Sequence, residues 1–440
     1  MKKGIAKLLG VTALMTMLSA TARAQSSDAL LDKLVEKGIL TVGEANGLRV
    51  EADKGFNQAY SVKSGMPEWV NSLKFNGDVR VRYDGLYLDA PGTVDRNRFR
   101  FRLRFGVTAM LTDNIEVGLR LISSENGKGG FTSGDPISGN SSFDDNGSKK
   151  FIGIDLAYAK WSPINTPQWS GTITAGKMEN PFVFSDMIFD SDYTPEGLAE
   201  QFAYAFHEHH SLKFNFGEFL LDEVSTNSHD PFLLGGQVRL DSVWNPKWQS
   251  SFGLSALTIS GTENLGSTKV PDQNRGNTRI GGALQNKFNP IIVDGAVTYT
   301  LDKFPMYSGA FPIRLAADYA NNPAARANNQ AYSAGVTFGK SGKRGTWDLT
   351  YKYKYLESDY WFEELVDSDT GAFYQVATQQ SNGGTGYASG TNLRGHYFRA
   401  AFSPYDSVTL SATYFLFDLI RGRTSHSEAG RLQVDASVKF

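Results

Sequence analysis

Arginine occupies every even position from 96 to 104: Arg96, Arg98, Arg100, Arg102 and Arg104, in the run RNRFRFRLRF. Phe99, Phe101, Leu103 and Phe105 fill the odd positions beside them. A row of fixed positive charge can attract anions or pair with carboxylates. What it does depends on the element that holds it. A helix, turning about 100° per residue, would scatter these arginines around its axis. A strand gathers them on one face and the aromatics on the other. In a soluble sandwich the apolar face meets a second sheet. In a transmembrane barrel it meets lipid, and the arginines meet a wet lumen. The run alone fits both.

Composition narrows the field. The 440 residues carry a formal net charge of −2, so no bulk basic character points to nucleic acid. With no cysteine there is neither a disulfide framework nor a thiolate metal site. At the N-terminus, Lys2, Lys3 and Lys7 precede a short apolar run, Leu8 to Ala20, and Ala22-Arg23-Ala24 forms a small-residue cleavage site. Residues 1–24 read as a secretory signal peptide, because the apolar run is too short for the ~20 residues that a spanning helix needs. No other stretch is apolar enough to span as a helix, so a membrane form must span as strands.

Residues 26–54 have apolar residues at helical spacing (Leu30, Leu31, Leu34, Val35), a capping Ser27, a stop at Gly38, and Thr41 and Glu44 at capping-box spacing. A periplasmic helical segment with its linker is expected over 25–70, and a barrel over 71–440. From Leu73 the period is two. Candidate strands are 73–84, 96–111, 113–124, 150–161, 168–177, 197–207, 209–222, 231–244, 247–260, 290–302, 312–321, 331–340, 345–357, 393–403, 406–418 and 429–440. That is an even set of sixteen, joined by short connections with turn chemistry alternating with longer polar ones. Tyr351, Tyr353 and Tyr355 alternate with Lys352 and Lys354. Trp161, Trp169, Trp244 and Trp248 stand at strand ends beside short turns, where an aromatic girdle belongs. The fold class expected is an all-β transmembrane antiparallel barrel. Its exterior takes the phenylalanines. Its interior takes the arginines, joined by Arg80 and Arg82 on the preceding strand and Arg120 on the next.

Several stretches carry a family resemblance: LLDKLVEKGILTVGEANGLR, RNRFRFRLRFG followed by NIEVGLRL, GKMENPF through DSDYTPEG, and YKYLESD with GTNLRGH. Together they resemble the putative porins of Gram-negative outer membranes, sixteen-strand barrels akin to general and phosphate-selective porins. The stretch 367–391 is longer than that family's corresponding loop. The terminal strand RLQVDASVKF, ending in Phe440, resembles the sorting signal read by the barrel-assembly machinery. The resemblance implies a passive diffusion channel for small hydrophilic solutes and ions in outer-membrane lipid. It also implies a homotrimer, no enzymatic activity and no cofactor.

The resemblance further implies that the third long connection, 178–196, folds inward and narrows the pore. It carries Glu179, Asp186, Asp190, Asp192 and Glu196. Facing Arg80, Arg82, Arg98, Arg100, Arg102 and Arg120 across water, these acids would set up a transverse field. Alternatively, arginines pair with lumen carboxylates such as Asp78 or Glu116 and hold the wall together. The run His207-Glu208-His209-His210 has no zinc spacing and reads as a solvated turn; Asp144 and Asp145 lack full calcium-loop spacing. No metal is expected. The competing readings are a substrate-specific, phosphate-type anion channel and a non-conducting adhesive, structural or enzymatic barrel.

Overall fold

The computed structural model describes residues 67–89, 94–124, 137–144, 146–265, 276–280, 283–370, 390–422 and 427–440, together with Leu48. The expected signal peptide and, apart from Leu48, residues 25–66 of the expected helical segment lie outside them.

Among the described residues the chain forms sixteen long strands. They are β1 (Val70–Leu88), β2 (Arg96–Leu111), β3 (Ile115–Ser124), β4 (Phe151–Asn165), β5 (Trp169–Lys177), β6 (Glu196–His207), β7 (His210–Leu220) and β8 (Phe232–Asn245). There follow β9 (Trp248–Ser260), β10 (Ile291–Leu301), β11 (Phe311–Asn321), β12 (Gln330–Gly339), β13 (Thr346–Leu356), β14 (Leu393–Tyr405), β15 (Val408–Leu419) and β16 (Ala429–Lys439). Each strand is hydrogen-bonded to the next, and β16 returns antiparallel to β1, from Asp78 opposite Lys439 to Leu88 opposite Ala429. The sheet is therefore a closed barrel. All sixteen strands expected from alternation are present.

Some boundaries moved, for identifiable reasons. The fourth strand was expected to stop at 161, before Pro163, but β4 continues to Asn165. A register shift between Trp161 and Ile164 absorbs the proline, which donates no ladder hydrogen bond and is tolerated at a bulge. The third strand starts at Ile115 because Asp113 and Asn114, with φ of 60° and 59°, make the preceding turn. Residues 67–72 and 110–112 belong to one of two compact units and the remaining strand residues to the other; within the first, Thr112 N–H donates to the Trp69 carbonyl and Asn71 Nδ2 to that of Leu111.

The sheet is apolar outside and charged inside. Phe99, Leu103, Phe105, Ile152, Ile154, Phe252, Leu254, Leu315 and Leu349 are exposed on the outer face. Trp161, Trp169, Trp244 and Trp248 are exposed beside the short turns at 166–168 and 246–247. Arg82, Asp84, Arg100, Arg102, Arg239, Lys354 and Arg431 are buried on the inner face. Water on both faces would penalise so much exposed aromatic surface; a hydrocarbon surround removes the penalty.

The closing seam is built from the two ends of the barrel. Gly77 and Phe440 exchange backbone hydrogen bonds of 2.9 and 3.0 Å. A Cβ at Gly77 would lie 2.5 Å from the Phe440 ring, so only glycine admits the terminal aromatic there. Five residues inward along each strand, Arg82 stands opposite Asp435 and binds it bidentately at 2.7 and 2.8 Å, almost fully buried. Removing one partner strands the other charge in low dielectric. We expect Arg82→Ala to cost about 3–5 kcal/mol in urea unfolding of the barrel in detergent. Replacing both, Arg82→Met with Asp435→Leu, should recover most of that loss. A cost under about 1 kcal/mol for the single change, as for exposed pairs, would show that the seam does not depend on it.

Candidate functional site

The loops at the end of the barrel opposite the short turns are numbered in order L1 (89–95), L2 (125–150), L3 (178–195), L4 (221–231), L5 (261–290), L6 (322–329), L7 (357–392) and L8 (420–428). L3 leaves β5, crosses the interior and returns to β6. It is tied to the wall at several stations. Glu179 pairs with Arg120 of β3, which also holds Asp155 of β4. Val183 is bonded through both its N–H and its carbonyl to Gln237 of β8, and its carbonyl also accepts from Arg239 at 3.0 Å. Asp186 reaches Lys352 and Lys354 of β13 at 3.1 and 3.0 Å. Asp192 takes Arg102 of β2 bidentately at 3.0 and 2.9 Å, with Arg104 at 3.4 Å.

The arginine ladder is thus in direct contact with acid. Arg102 and Arg104 also share Asp78, at 3.2 and 2.6 Å. Arg98 and Arg431 both hold the fully buried Asp84, at 2.6 and 2.7 Å. Arg100 donates to the Asn140 carbonyl, and Arg80 to the Asn140 side chain at 2.7 Å. Asn140 is placed there because Ser141 and Ser142 of L2 extend the ladder of β2 opposite Phe101 and Arg100. Arg96 stands exposed at the loop end of β2. Of the expected pairing acids, Asp78 binds arginine, whereas Glu116 accepts from the Tyr158 hydroxyl at 2.7 Å. Glu196, at the start of β6, pairs with Lys177 of β5 on the neighbouring strand.

The sequence reading missed the partner of L3. The first part of L7 also folds inward and docks on it. Tyr360 donates to the Met187 carbonyl at 2.6 Å, and Trp361 Nε1 to that of Ile188 at 2.9 Å. The Asp190 N–H donates to the Leu365 carbonyl, and the Asp367 N–H to that of Asp186. Met187, Ile188, Phe189, Tyr360, Trp361, Phe362 and Val366 are all buried, in one apolar cluster with Phe288 of L5. L5 adds Asn277, which donates to the Ser358 and Trp361 carbonyls, and Arg279, which pairs with the buried Glu363 at 2.7 Å. The signal was present in the sequence: Tyr360-Trp361-Phe362 is an aromatic triplet inside an otherwise polar loop, and exposed loops rarely spend such residues.

L7 also brings acids to the wall. Asp369 lies 3.2 Å from Arg431 and 3.7 Å from Arg82. Asp367 shares Lys354 with Asp186, at 3.1 Å. The side chain of Lys354 is completely buried between these two carboxylates.

These environments separate the loop carboxyls. Burial would raise Asp186, but Lys352 and Lys354 outweigh it and hold it below the ordinary carboxylate range. Burial would raise Asp369 too, and Arg431 and Arg82 hold it low. Asp190 has no cation: burial first, then Asp367 and Asp192, push it well above that range, against the N–H donors of Asp192 and Ser368. Asp367 is raised mainly by burial, with Lys354 opposing.

Among the described residues no group of three or more His, Cys, Asp or Glu side chains is placed to hold a metal. His207 ends β6 and His210 begins β7, with Glu208 and His209 as the turn between them. Asp144 pairs with Lys150; Asp145 lies outside the described residues.

Residues 91–259 match a family model described as "Putative porin". No curated protein matches the chain. Among solved structures, a high-pH structure of Pseudomonas putida OprB is similar at 10% identity, with a TM-score of 0.49, covering 88% of this chain and 97% of that one. Salmonella typhi OmpF in complex with daunomycin is similar at 11% identity and a TM-score of 0.44, covering 84% and 97%. A mutant of the Rh. blastica porin is similar at 8% identity and a TM-score of 0.41, covering 84% and 100%.

Two outcomes follow from the junction. Lys354→Met leaves Asp186 and Asp367 facing each other without their shared cation, and should destabilise the docked loops by about 3–5 kcal/mol. Protease cleavage within L3 and L7 of the folded barrel reads that loss. The pH dependence has a definite sign. A carboxyl raised in the docked state keeps a proton that the undocked state releases, so Asp190 and Asp367 favour docking as pH falls through their raised values. Asp186 and Asp369 are bonded as anions, and their contribution is lost as pH falls below about 4. Docking is therefore tightest on the acid side of neutrality, above that limit. Amide exchange of peptides covering 182–192 and 358–368, corrected for intrinsic rate, should slow as pH is lowered from neutrality toward the ordinary carboxylate range. Asp190→Asn should flatten the trend.

Proposed function

We propose that this chain, whose residues 91–259 match the putative porin family, is an outer-membrane channel that lets small hydrophilic solutes and ions diffuse passively across the bilayer. The observation that carries this reading is the closed sixteen-strand sheet with apolar side chains outside and charged ones within. Such a barrel is stable only with hydrocarbon around it and polar contents inside. In this reading residues 1–24 direct export, the Phe440 strand is recognised during assembly, and the working form is a homotrimer.

The transverse field takes a particular form in this reading. The ladder from Arg80 to Arg104 and the acids Asp192 and Asp369 are clamped together, so they act as a charged latch that fixes L3 and L7 across the bore. The docking of L7 and L5 on L3 favours a narrow, substrate-selective channel over a wide general one, because their shared apolar cluster fills interior space that L3 alone would leave open. The excess of inward cations over acids along the ladder supports anions as the favoured solutes.

Planar-bilayer recording of the refolded mature chain tests this. We expect discrete open-channel steps and a reversal potential of anion-selective sign in a salt gradient. A folded protein that gives no steps would transfer the weight to a non-conducting barrel. Trp361 is fully buried at the L3–L7 contact, and Trp361→Ala should cost about 3–5 kcal/mol locally. Its channels should show larger unitary conductance and more frequent fluctuations than the parent. Unchanged conductance would mean that L7 does not limit the bore.

A further inference from the structure

We infer that Arg314 of β11 is an anion-selecting site on the short-turn side of L3, separate from the arginine ladder. This inference rests on the channel reading above and adds the residue that confers its preference.

Arg314 differs from the other inward arginines in its neighbours. Its cross-strand partners are Thr298 on β10 and Thr337 on β12, neither of which can neutralise it. Of the ladder arginines, Arg82, Arg98, Arg100, Arg102 and Arg104 have Asp78, Asp84, Asp192 or Asp435 at hand, while Arg80 is half-buried and held by the Asn140 side chain. Among the described residues Arg314 makes no ion pair, and it is exposed. The nearest carboxylate on its own strand, Asp318, is four residues along, roughly 13 Å by strand rise, and accepts instead from Ser333 at 2.9 Å.

The free guanidinium faces space. A cavity of about 180 Å³ lies under the edge of L3, lined by Val183, Arg239, Asp294, Arg314, Asp318 and Lys352. A second, of about 380 Å³, is bounded by the His207–Ser211 turn and β8–β10 and is also lined by Arg314. Arg314 stands where the two meet. The other cations of the first cavity are committed: Arg239 to Asp294 at 2.7 Å, and Lys352 to Asp186 at 3.1 Å. Arg314 is therefore the cation able to meet a solute. The wall beside it is apolar at Val183, half exposed on L3. A small anion with a compact apolar part, such as a short carboxylate, matches that combination. The charge end would sit on the guanidinium and the body against the loop edge.

The chain contains no cysteine, so a single introduced thiol is the only one present. Arg314→Cys and Thr298→Cys, in the full mature chain, place a thiol at the junction and beside it. The second keeps the guanidinium and guards against misfolding of the first. Before modification, Arg314→Cys should shift the chloride-to-potassium permeability ratio toward potassium by roughly two- to fivefold, and the acetate-to-potassium ratio alike. A negatively charged methanethiosulfonate reagent added from the short-turn side should restore less anion current than a positively charged one at Arg314→Cys. Either reagent should reduce conductance at Thr298→Cys. Conducting channels whose permeability ratio is unchanged in Arg314→Cys, and whose current ignores both reagents at both positions, overturn the inference while leaving the channel reading intact. Absence of conductance in the folded parent chain overturns both.

Discussion

The structure depends on one constraint: a strand in hydrocarbon has no water to satisfy its edge. The only relief is to pair the last strand with the first, and this chain does so over eleven residue pairs from Asp78–Lys439 to Leu88–Ala429. Closure then dictates the rest. One face of every strand meets lipid and the other meets the interior, so a period of two becomes compulsory along the whole barrel. The seam must also be specified against slippage, because a shift of one residue would turn every arginine outward. The buried Arg82–Asp435 pair and the Gly77–Phe440 contact supply that register.

Closure also creates a low-dielectric wall around charged side chains, and that wall governs the loops. Charges near it are costly unless paired. L3 and L7 bring the acids that the ladder lacks: Asp192 to Arg102, Asp369 to Arg431 and Arg82, and Asp186 with Asp367 to Lys354. The loops are held inward by the barrel's own uncompensated cations. The aromatic contacts of Tyr360 and Trp361 then fasten the two loops to each other. Electrostatics chooses where they land, and apolar burial makes the landing stable.

The strands were legible because period two is a local property and each strand repeats it. The arginine run showed both its element and its inward face. The inward path of L3 was legible only by resemblance, since nothing in an acidic loop says which way it folds. The fate of each acid was not legible at all. Asp190 and Asp192 are two residues apart, yet one is buried without a cation and the other grips Arg102. That difference is set by L7, which is distant in sequence. L7 itself could have been suspected from Tyr360-Trp361-Phe362, but Lys352 and Lys354 read as ordinary lumen lysines until their carboxylate partners arrived. Pairings across a barrel carry no sequence spacing to betray them.

The same physics says where the barrel is wet. Buried charged side chains among those described have partners: Asp155 has Arg120, Asp348 has Arg399, Glu363 has Arg279, Asp190, without a cation, accepts two backbone N–H groups, and Asp359, likewise without one, accepts the N–H and hydroxyl of Thr278. A charge that stays unpaired must be hydrated instead, because desolvating it alone would cost more than the fold can spare. An exposed, unpaired inward arginine is therefore a marker of water, and Arg314 marks it on the short-turn side of L3. The ladder first draws the eye because it is dense in charge, but density led to pairing, and pairing consumed most of its field. An isolated guanidinium flanked by two threonines keeps its field and can spend it on a solute.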